Sequence, residues 1–254
     1  MLDVDGYLGR IGYRGPLELD LATLERLQRA HLTAVPFENL HVAAGLPVRT
    51  DATWSVTKIV DERRGGWCFE NNGAFGALLA ELGFPVMYLG AAVLLDGPTS
   101  VIDHLCLEVN VDQPYLVDVG FGESFIRPLA MNLRGPQDGG TGVFELIDSD
   151  QGLTLTRLED GVPVPQYRFK RVALRLEDFA PAADRLATDP TLPWSNKPFA
   201  TRLLDGGPDR VTLLKDRLKL TRDGTTTETP IDEGDWEATL TRWFDLTLPR
   251  SPAT

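Results

Sequence analysis

The chain has 254 residues, of which 43% are hydrophobic and 24% are charged, a composition typical of a globular protein with one large domain or a few smaller ones. A formal net charge of -12 repels phosphate backbones, so nucleic acid is not a predicted partner. No apolar run approaches the roughly 20 residues that span a bilayer, and the acidic N-terminus does not fit a signal peptide. We therefore predict a cytoplasmic protein that does not bind membranes.

The first third of the chain has the apolar periodicity of helices. Hydrophobic residues recur every three or four positions over residues 20–34, 55–64 and 68–82. Asp20 and Ser55 are predicted N-caps, and the glycines at 65, 66 and 83 end the second and third helices. Residues 1–84 are therefore predicted to form a helical unit.

After Gly83 the apolar pattern becomes alternating or continuous, which predicts strands separated by turn residues. The predicted strands are residues 85–95, 104–111, 115–119, 144–147, 153–158 and 167–176. Short strands at hairpin spacing predict an antiparallel barrel or sandwich over residues 85–180.

The last unit, residues 181–254, is predicted to combine strands with a helix. The stretch 179–197, rich in Pro, Ala and Asp, is predicted to be a loop or a bridging segment. Two strands follow at 211–214 and 218–222, and a helix at 235–244 closes the chain. The predicted fold class is α+β.

The two cysteines, Cys68 and Cys106, are too few for a disulfide framework, and neither belongs to a Cys-x-x-Cys pair that would indicate zinc. No metal site is predicted. Cys68 follows two glycines and opens a predicted helix, where the helix dipole and free backbone N–H groups favour a thiolate. The alternative is a small buried side chain that fills the helix terminus.

His104 and Asp118 are the candidate partners of this thiol. His104 begins a strong predicted strand, a position that is more often structural than catalytic. Asp118 lies between two valines in an apolar strand, which is unfavourable unless the carboxylate is paired. His104 is the nearest candidate partner along the chain.

The alternation of apolar residues supports this pairing. Odd-numbered positions are apolar in both strands, so a hairpin that pairs odd with odd puts His104, Cys106 and Asp118 on the opposite face. With a three-residue loop, Asp118 lies opposite Cys106 and diagonal to His104. A Cys-His-Asp triad of the cysteine-protease type attacks acyl carbonyls. Acyltransferases, thiol peptidases, transglutaminases and a catalytically idle binding module all remain open at this point.

Several stretches of the chain together resemble the arylamine N-acetyltransferase family in order and spacing. These stretches are residues 7–13, 36–40, 64–70, 104–105, 117–122, 167–169 and 177–179. The resemblance implies a helical bundle (1–84) that carries the nucleophile, a β-barrel (85–180) that carries His and Asp, and an α/β lid (181–254). It also implies a ping-pong reaction in which acetyl-CoA acylates the cysteine and an aromatic amine or hydrazine accepts the acyl group, without a permanently bound cofactor.

By motif position, Cys68 would be the nucleophile, His104 its base and Asp118 the residue that orients the histidine. Other assignments implied by the resemblance are Phe37, Phe125 and Gly122 in the substrate site and Thr188 and Ser195 in contact with the coenzyme. Related amide synthases release a polyketide chain from an acyl carrier protein as a macrolactam, which is the alternative function. The segment between Val93 and His104 is shorter than is usual in the family, and Asp189 lies in the stretch expected near the coenzyme.

Overall fold

The computed structural model describes residues 2–249 and begins with a group of five helices. They are α1 (Val4–Arg10), α2 (Leu21–Ala34), α3 (Leu40–Ala43), α4 (Ala52–Val60) and α5 (Cys68–Glu81). Asp20 caps α2 as predicted, because its side chain accepts a hydrogen bond from the Thr23 N–H at 2.7 Å. Helix α1, capped by Asp3, was not predicted.

The predicted start of α4 at Ser55 was wrong. The helix begins three residues earlier, because the Asp51 side chain accepts from the Trp54 N–H at 2.8 Å and caps it. Ser55 lies inside the helix, and its hydroxyl donates to the Asp51 carbonyl oxygen at 3.0 Å.

An antiparallel sheet of eight strands forms a nearly closed barrel in the middle of the chain. Its strands are β2 (Val86–Val93), β3 (His104–Asn110), β4 (Pro114–Val117), β5 (Leu129–Ala130), β6 (Gln137–Asp138), β7 (Val143–Ser149), β8 (Gly152–Glu159) and β9 (Val162–Leu174). The spatial order is β5-β4-β3-β2-β9-β8-β7-β6. The short strands β5 and β6 were not predicted, since two residues are too few to show a period.

A second sheet combines strands from both ends of the chain. In spatial order it contains β1 (Phe37–Glu38), β10 (Ala200–Leu203), β11 (Arg210–Leu213), β12 (Arg217–Arg222) and β13 (Thr225–Pro230). Strand β1 comes from the helical part of the sequence but pairs with β10, Phe37 lying opposite Thr201. We refer to these five strands as the lid sheet.

The loop predicted at 179–197 is instead partly helical. Helix α6 (Ala180–Thr188) follows a 3₁₀ turn, and it tolerates Pro181 because the first turn of a helix has no intrahelical acceptor for the N–H that proline lacks. The side chains of Ala183 and Leu186 are buried in the hydrophobic core and hold α6 in place. Helix α7 (Trp236–Phe244) lies where the closing helix was predicted.

Three hydrophobic clusters hold these layers together. The odd-numbered residues of β3, such as Leu105 and Leu107, pack with the helices, whereas Cys106 faces the interior of the barrel. The third cluster lies between the lid sheet and α7. Within residues 2–249, no helix is both long enough and apolar enough to span a membrane.

Candidate active site

The turn before Cys68 requires glycine at two successive positions. A Cβ at Gly65 would overlap the Pro36 carbonyl oxygen, and a Cβ at Gly66 would lie 2.6 Å from the Glu70 Oε2 atom. Cys68 is the first residue of α5 and is only 2% exposed. The sequence therefore places the thiol at the positive end of a helix, against a tightly packed turn.

A buried ion pair supports this helix start. Glu70 Oε2 accepts from the Trp67 N–H at 3.3 Å and from Lys58 Nζ at 2.7 Å, and Oε1 accepts from the Trp54 indole at 3.2 Å. The Lys58 and Glu70 side chains are 3% and 2% exposed. The pair joins α4 to the first turn of α5, where the nucleophile candidate lies.

We expect Lys58→Met to lower the free energy of unfolding by about 3–5 kcal/mol, because it leaves the Glu70 carboxylate buried without a counter-ion. Chemical denaturation of the variant measures the loss. Arg171→Met is the matched control: its partner Glu108 is equally buried, but Arg171 is 41% exposed, so water can replace it and the loss should be smaller. A loss below about 1 kcal/mol for Lys58→Met would contradict the prediction.

The predicted register of β3 and β4 is confirmed. Leu107 pairs with Val117 and Val109 with Tyr115, so the continued register brings Asp118 opposite Cys106. His104 Nε2 and Asp118 Oδ2 are 2.7 Å apart, and both side chains are buried. Because Nε2 faces the carboxylate, Nδ1 is the nitrogen left to exchange a proton with another group.

Cys68 lies close enough to His104 to raise the pKa of its imidazole, although the two residues come from different parts of the fold. Its Sγ also lies 4.0 Å from the Asp103 carbonyl oxygen. Gly120 allows this approach, since a Cβ there would be 2.7 Å from the Cys68 Cα. The structure thus brings together all three residues of the predicted triad.

Sequence reasoning did not identify Asn72, which holds the carboxylate in place. Asn72 Nδ2 donates to Asp118 Oδ1 at 2.9 Å, and the Gly120 N–H donates to the same oxygen at 2.8 Å. Asn72 Oδ1 in turn accepts from the Val119 N–H at 2.9 Å. The spacing along the sequence could have identified Asn72, because a residue four positions after Cys68 lies on the same face of the helix.

The environment of His104 favours the imidazolium. Burial by itself lowers the pKa of His104, but the Asp118 carboxylate and, after it, the Cys68 side chain raise it to about 10. The pairing of His104 with Asp118 therefore outweighs desolvation, and the ring is cationic at neutral pH.

This pKa predicts how stability depends on pH. His104 binds its proton more tightly in the folded than in the unfolded state, so its stabilisation is complete below about pH 6.5 and is lost as the pH rises towards about 10. We expect the free energy of unfolding to fall over this window and His104→Gln to reduce the fall. In the control His41→Gln the fall should persist, because burial holds the His41 pKa at about 3, outside the window. An equal fall in His104→Gln and wild type, measured by denaturation at several pH values, would refute this.

Two aromatic side chains pack on His104. The ring centroids of Phe121 and Tyr167 lie 5.1 and 4.9 Å from that of the imidazole. Phe125, which the resemblance assigns to the substrate site, packs inside the barrel with its ring 5.8 Å from that of Phe144, and its assignment stays a prediction. Phe121 lines the candidate site and was not predicted from the sequence. Its position three residues after Asp118, in the Asp-Val-Gly-Phe run, could have indicated it.

Gly122 and Phe37 lie against one another. A Cβ at Gly122 would be 3.4 Å from the Phe37 ring, and its φ of +91° is a conformation that favours glycine. Phe37 continues into an aromatic cluster, with ring centroids 6.3 Å from Trp194 and 5.3 Å from Phe199. The lid sheet, through Phe37, therefore meets the loop that follows Asp118 at Gly122.

The residues assigned to the coenzyme lie in α6 and in the short turn that follows it. Thr188 ends α6, is exposed, and donates to the Asp184 carbonyl oxygen at 2.8 Å. Ser195 lies in the 3₁₀ turn Pro193–Ser195, next to Trp194, whose ring meets the Phe37 ring edge-on. Among the hydrogen bonds of residues 2–249, none joins Thr188 or Ser195 to Cys68, His104 or Asp118.

The two thiols should differ in reactivity. Burial raises the pKa of Cys106 well above its usual range, with the nearby Asp118 and Cys68 adding to the effect. Cys68 instead has the helix N-terminus and a cationic imidazole beside it. We expect iodoacetamide at neutral pH to modify Cys68 well before Cys106, as read by peptide mass spectrometry. Equal rates at both cysteines would argue against an activated thiol.

Comparisons with known proteins agree with this architecture. The model of an N-acetyltransferase family matches residues 20–253. The arylamine N-acetyltransferase of Mycolicibacterium smegmatis is 38% identical over 66% of this chain and 64% of its own length. A pineal gland arylamine N-acetyltransferase of Gallus gallus is 35% identical over 65% of this chain and 60% of its own. These sequence matches span less than two thirds of the curated relatives.

Solved structures match over a larger share. The Mycobacterium marinum arylamine N-acetyltransferase in complex with CoA superposes with a TM-score of 0.89 at 32% identity, covering 96% of this chain and 92% of that one. The Salmonella typhimurium enzyme gives 0.90 at 26% identity, covering 96% and 90%. The α+β fold class predicted from the sequence is confirmed. The chain belongs to the arylamine N-acetyltransferase family.

Proposed function

We propose that this protein transfers an acetyl group from acetyl-CoA to an aromatic amine or hydrazine through an acyl-enzyme formed on Cys68. The observation that carries the proposal is the burial of Cys68 at the start of a helix and close to His104, whose Nε2 lies 2.7 Å from Asp118 Oδ2. The names of the relatives support the substrate classes, and the M. marinum structure is described as a complex with CoA.

In the first half-reaction, the Cys68 thiolate attacks the thioester carbonyl of the donor. His104 has taken the thiol proton and delivers it to the departing CoA sulfur, so free CoA leaves and the acetyl group stays on Cys68. The oxyanion forms beside the first turn of α5, where backbone N–H groups lack intrahelical acceptors. Asp118 keeps the imidazole oriented and stabilises its cationic form.

In the second half-reaction, the amine nitrogen attacks the acyl carbon of the thioester on Cys68. His104 removes a proton from the nitrogen as the amide forms, and the Cys68 thiolate leaves. The cycle then returns to its starting protonation state. The aromatic side chains of Phe121 and Phe37 give the acceptor apolar surfaces to pack against on this side of the site.

The test is mass spectrometry of the intact protein after incubation with acetyl-CoA, propionyl-CoA or a longer acyl thioester. We expect one acyl group per chain, located on the peptide that contains Cys68, and its loss as amide when an arylamine is added. Cys106→Ser should be acylated like wild type, since Cys106 is buried inside the barrel. Acylation elsewhere, or an acyl-enzyme that releases only free acid in the presence of arylamines, would overturn the proposal.

The alternative predicted from the sequence, an amide synthase, differs in its acyl donor. The same measurement with an acyl group carried on a carrier protein tests it directly. Faster acylation of Cys68 from the carrier protein than from acetyl-CoA, followed by intramolecular amide formation, would replace the proposed donor and acceptor while leaving Cys68 as nucleophile.

A further inference from the structure

Arg210 is a buried cation without a contacting carboxylate among residues 2–249. It is 7% exposed, and its Nη1 donates to the Thr201 hydroxyl at 3.0 Å, whereas Nη2 is buried with no hydrogen-bond partner. Glu123 attracts it from a greater distance, but the Glu123 side chain is 69% exposed and pairs with Arg157 at 3.4 Å. A buried charge in this state is unfavourable unless another group pairs with it.

Arg64 is the other buried arginine among residues 2–249, and its Nη2 also has no hydrogen-bond partner. Its Nη1, however, donates to the Thr247 carbonyl oxygen at 2.9 Å, and its Nε lies 4.0 Å from the Glu38 carboxylate. Arg10 donates to the carbonyl oxygens of Ile59 and Ala34 at 2.9 and 2.8 Å. Arg171, which is 41% exposed, makes two bonds to the buried Glu108 carboxylate, at 2.7 and 2.6 Å. Arg210 differs because no carboxylate among residues 2–249 lies within 4.0 Å of its guanidinium, and its Nη2 is left available for an acceptor from outside the chain.

Arg210 lies on the same face of the lid sheet as Phe37. Antiparallel pairing puts Phe37 opposite Thr201, Thr201 opposite Thr212, and Leu203 opposite Arg210, so these side chains share one face of the lid sheet. The Thr201 and Thr212 hydroxyls are 2.7 Å apart. The opposite face carries Val211 and Leu213, which pack with α7.

The same face is joined to the nucleophile through a short loop. A Cβ at Gly122 would lie 3.9 Å from Thr201 Cγ2, and one at Gly120 would lie 2.7 Å from the Cys68 Cα. The chain between these two glycines spans at most about 7 Å. A substrate with its reacting carbon at Cys68 can therefore extend along Gly122 and Phe37, both partly exposed, towards Arg210.

We propose that Arg210, together with the hydroxyls of Thr201 and Thr212, binds an oxyanion group, a carboxylate or a phosphate, on a substrate of the acyl transfer. The inference rests on the proposed function, because it assigns the anionic part of that substrate. A carboxylate would come from the arylamine acceptor and a phosphate from the acyl donor. Either would complete the hydrogen bonding of the guanidinium with a charge-assisted pair.

The experiment compares wild type, Arg210→Met and Arg202→Met with substrates that differ in charge. On the acceptor side it uses 4-aminobenzoate and its neutral analogue 4-aminobenzamide. On the donor side it uses acetyl-CoA and the phosphate-free S-acetyl-N-acetylcysteamine. Arg202 is the matched control because it lies on β10 but on the opposite face from Thr201, and its Nη1 donates to the Thr33 carbonyl oxygen at 3.5 Å.

We expect Arg210→Met to lower kcat/KM by about tenfold to a hundredfold for the anionic member of one pair and to leave its neutral analogue unchanged. Loss confined to 4-aminobenzoate identifies the carboxylate of the acceptor, and loss confined to acetyl-CoA identifies the phosphate of the donor. Equal effects on all four substrates, or none, would show that Arg210 is structural and would overturn the proposal. Arg202→Met should show no selective loss.

If Arg210→Met does not fold, wild type still decides the question. A wild-type enzyme with no preference for either anionic substrate over its neutral analogue would overturn the anion site. The neutral pair, S-acetyl-N-acetylcysteamine and 4-aminobenzamide, separates this failure from failure of the proposed function. Turnover of that pair through Cys68 would keep the acyl transfer valid even if the role of Arg210 is refuted.

Discussion

Cys68→Ser and Cys68→Ala are expected to abolish acyl transfer while leaving the fold intact. Covalent catalysis has no substitute for the nucleophile, since the remaining thiol, Cys106, faces the barrel interior and is fully buried. Small replacements fit at Cys68 because the turn before it depends on close backbone packing at Gly65 and Gly66, which a change of the Cys68 side chain leaves in place.

The measurement combines steady-state transfer with intact-protein mass after exposure to acetyl-CoA. Cys106→Ser is the matched control and should retain activity and acylation. Thermal melts of the Cys68 variants confirm folding. A folded Cys68→Ala protein that keeps more than about a hundredth of the wild-type rate would remove Cys68 from its proposed role.

Asp118→Asn is expected to lower the acylation rate by roughly two to four orders of magnitude without unfolding the protein. In serine hydrolases with a Ser-His-Asp triad, the same change costs about four orders of magnitude. A thiolate–imidazolium pair is already ionised, so the loss here is expected to be equal or smaller.

The hydrogen bonds around Asp118 explain the direction of this effect. Asn72 and the Gly120 N–H both donate to Oδ1, so the substituted amide would keep its oxygen there. Its NH₂ group would then face His104 Nε2, which is 2.7 Å from Oδ2 in the native protein. The imidazole would have to accept at Nε2 and carry its proton on Nδ1, which prevents it from taking a proton from Cys68.

Burst kinetics of thioester cleavage measure the acylation rate of Asp118→Asn, and thermal melts test whether the variant is folded. Asp103→Asn is the control, because Asp103 adjoins His104 and its Oδ1 accepts from the Val93 N–H at 2.9 Å, a bond that an amide oxygen can keep. A folded Asp118→Asn enzyme that acylates within about threefold of wild type would make Asp118 structural and reduce the proposed triad to a Cys–His pair.

The local sequence determined much of the architecture around these residues. The alternation of apolar residues in β3 and β4 determined that His104, Cys106 and Asp118 share a face, because successive side chains of a strand point to opposite sides. The Gly-Gly-Trp-Cys run determined that a thiol begins a helix, since backbone constraints at glycine act over a few residues. An aspartate between two valines indicated a buried hydrogen-bonding partner, because removing an unpaired carboxylate from water is unfavourable.

Only the tertiary structure decided which distant groups meet. The closeness of Cys68 to His104 depends on packing α5 against β3. The Asn72 bonds to Asp118 and to the Val119 N–H join α5 to the segment that follows β4. The pairing of β1 with β10, which puts Phe37 beside the face that carries Arg210, joins segments far apart in sequence. Hydrophobic periodicity specifies which side of an element is buried, but not the element that covers it, because burial is non-directional. The partners of Asp118, and the lack of a carboxylate beside Arg210 among residues 2–249, could therefore be found only in the folded chain.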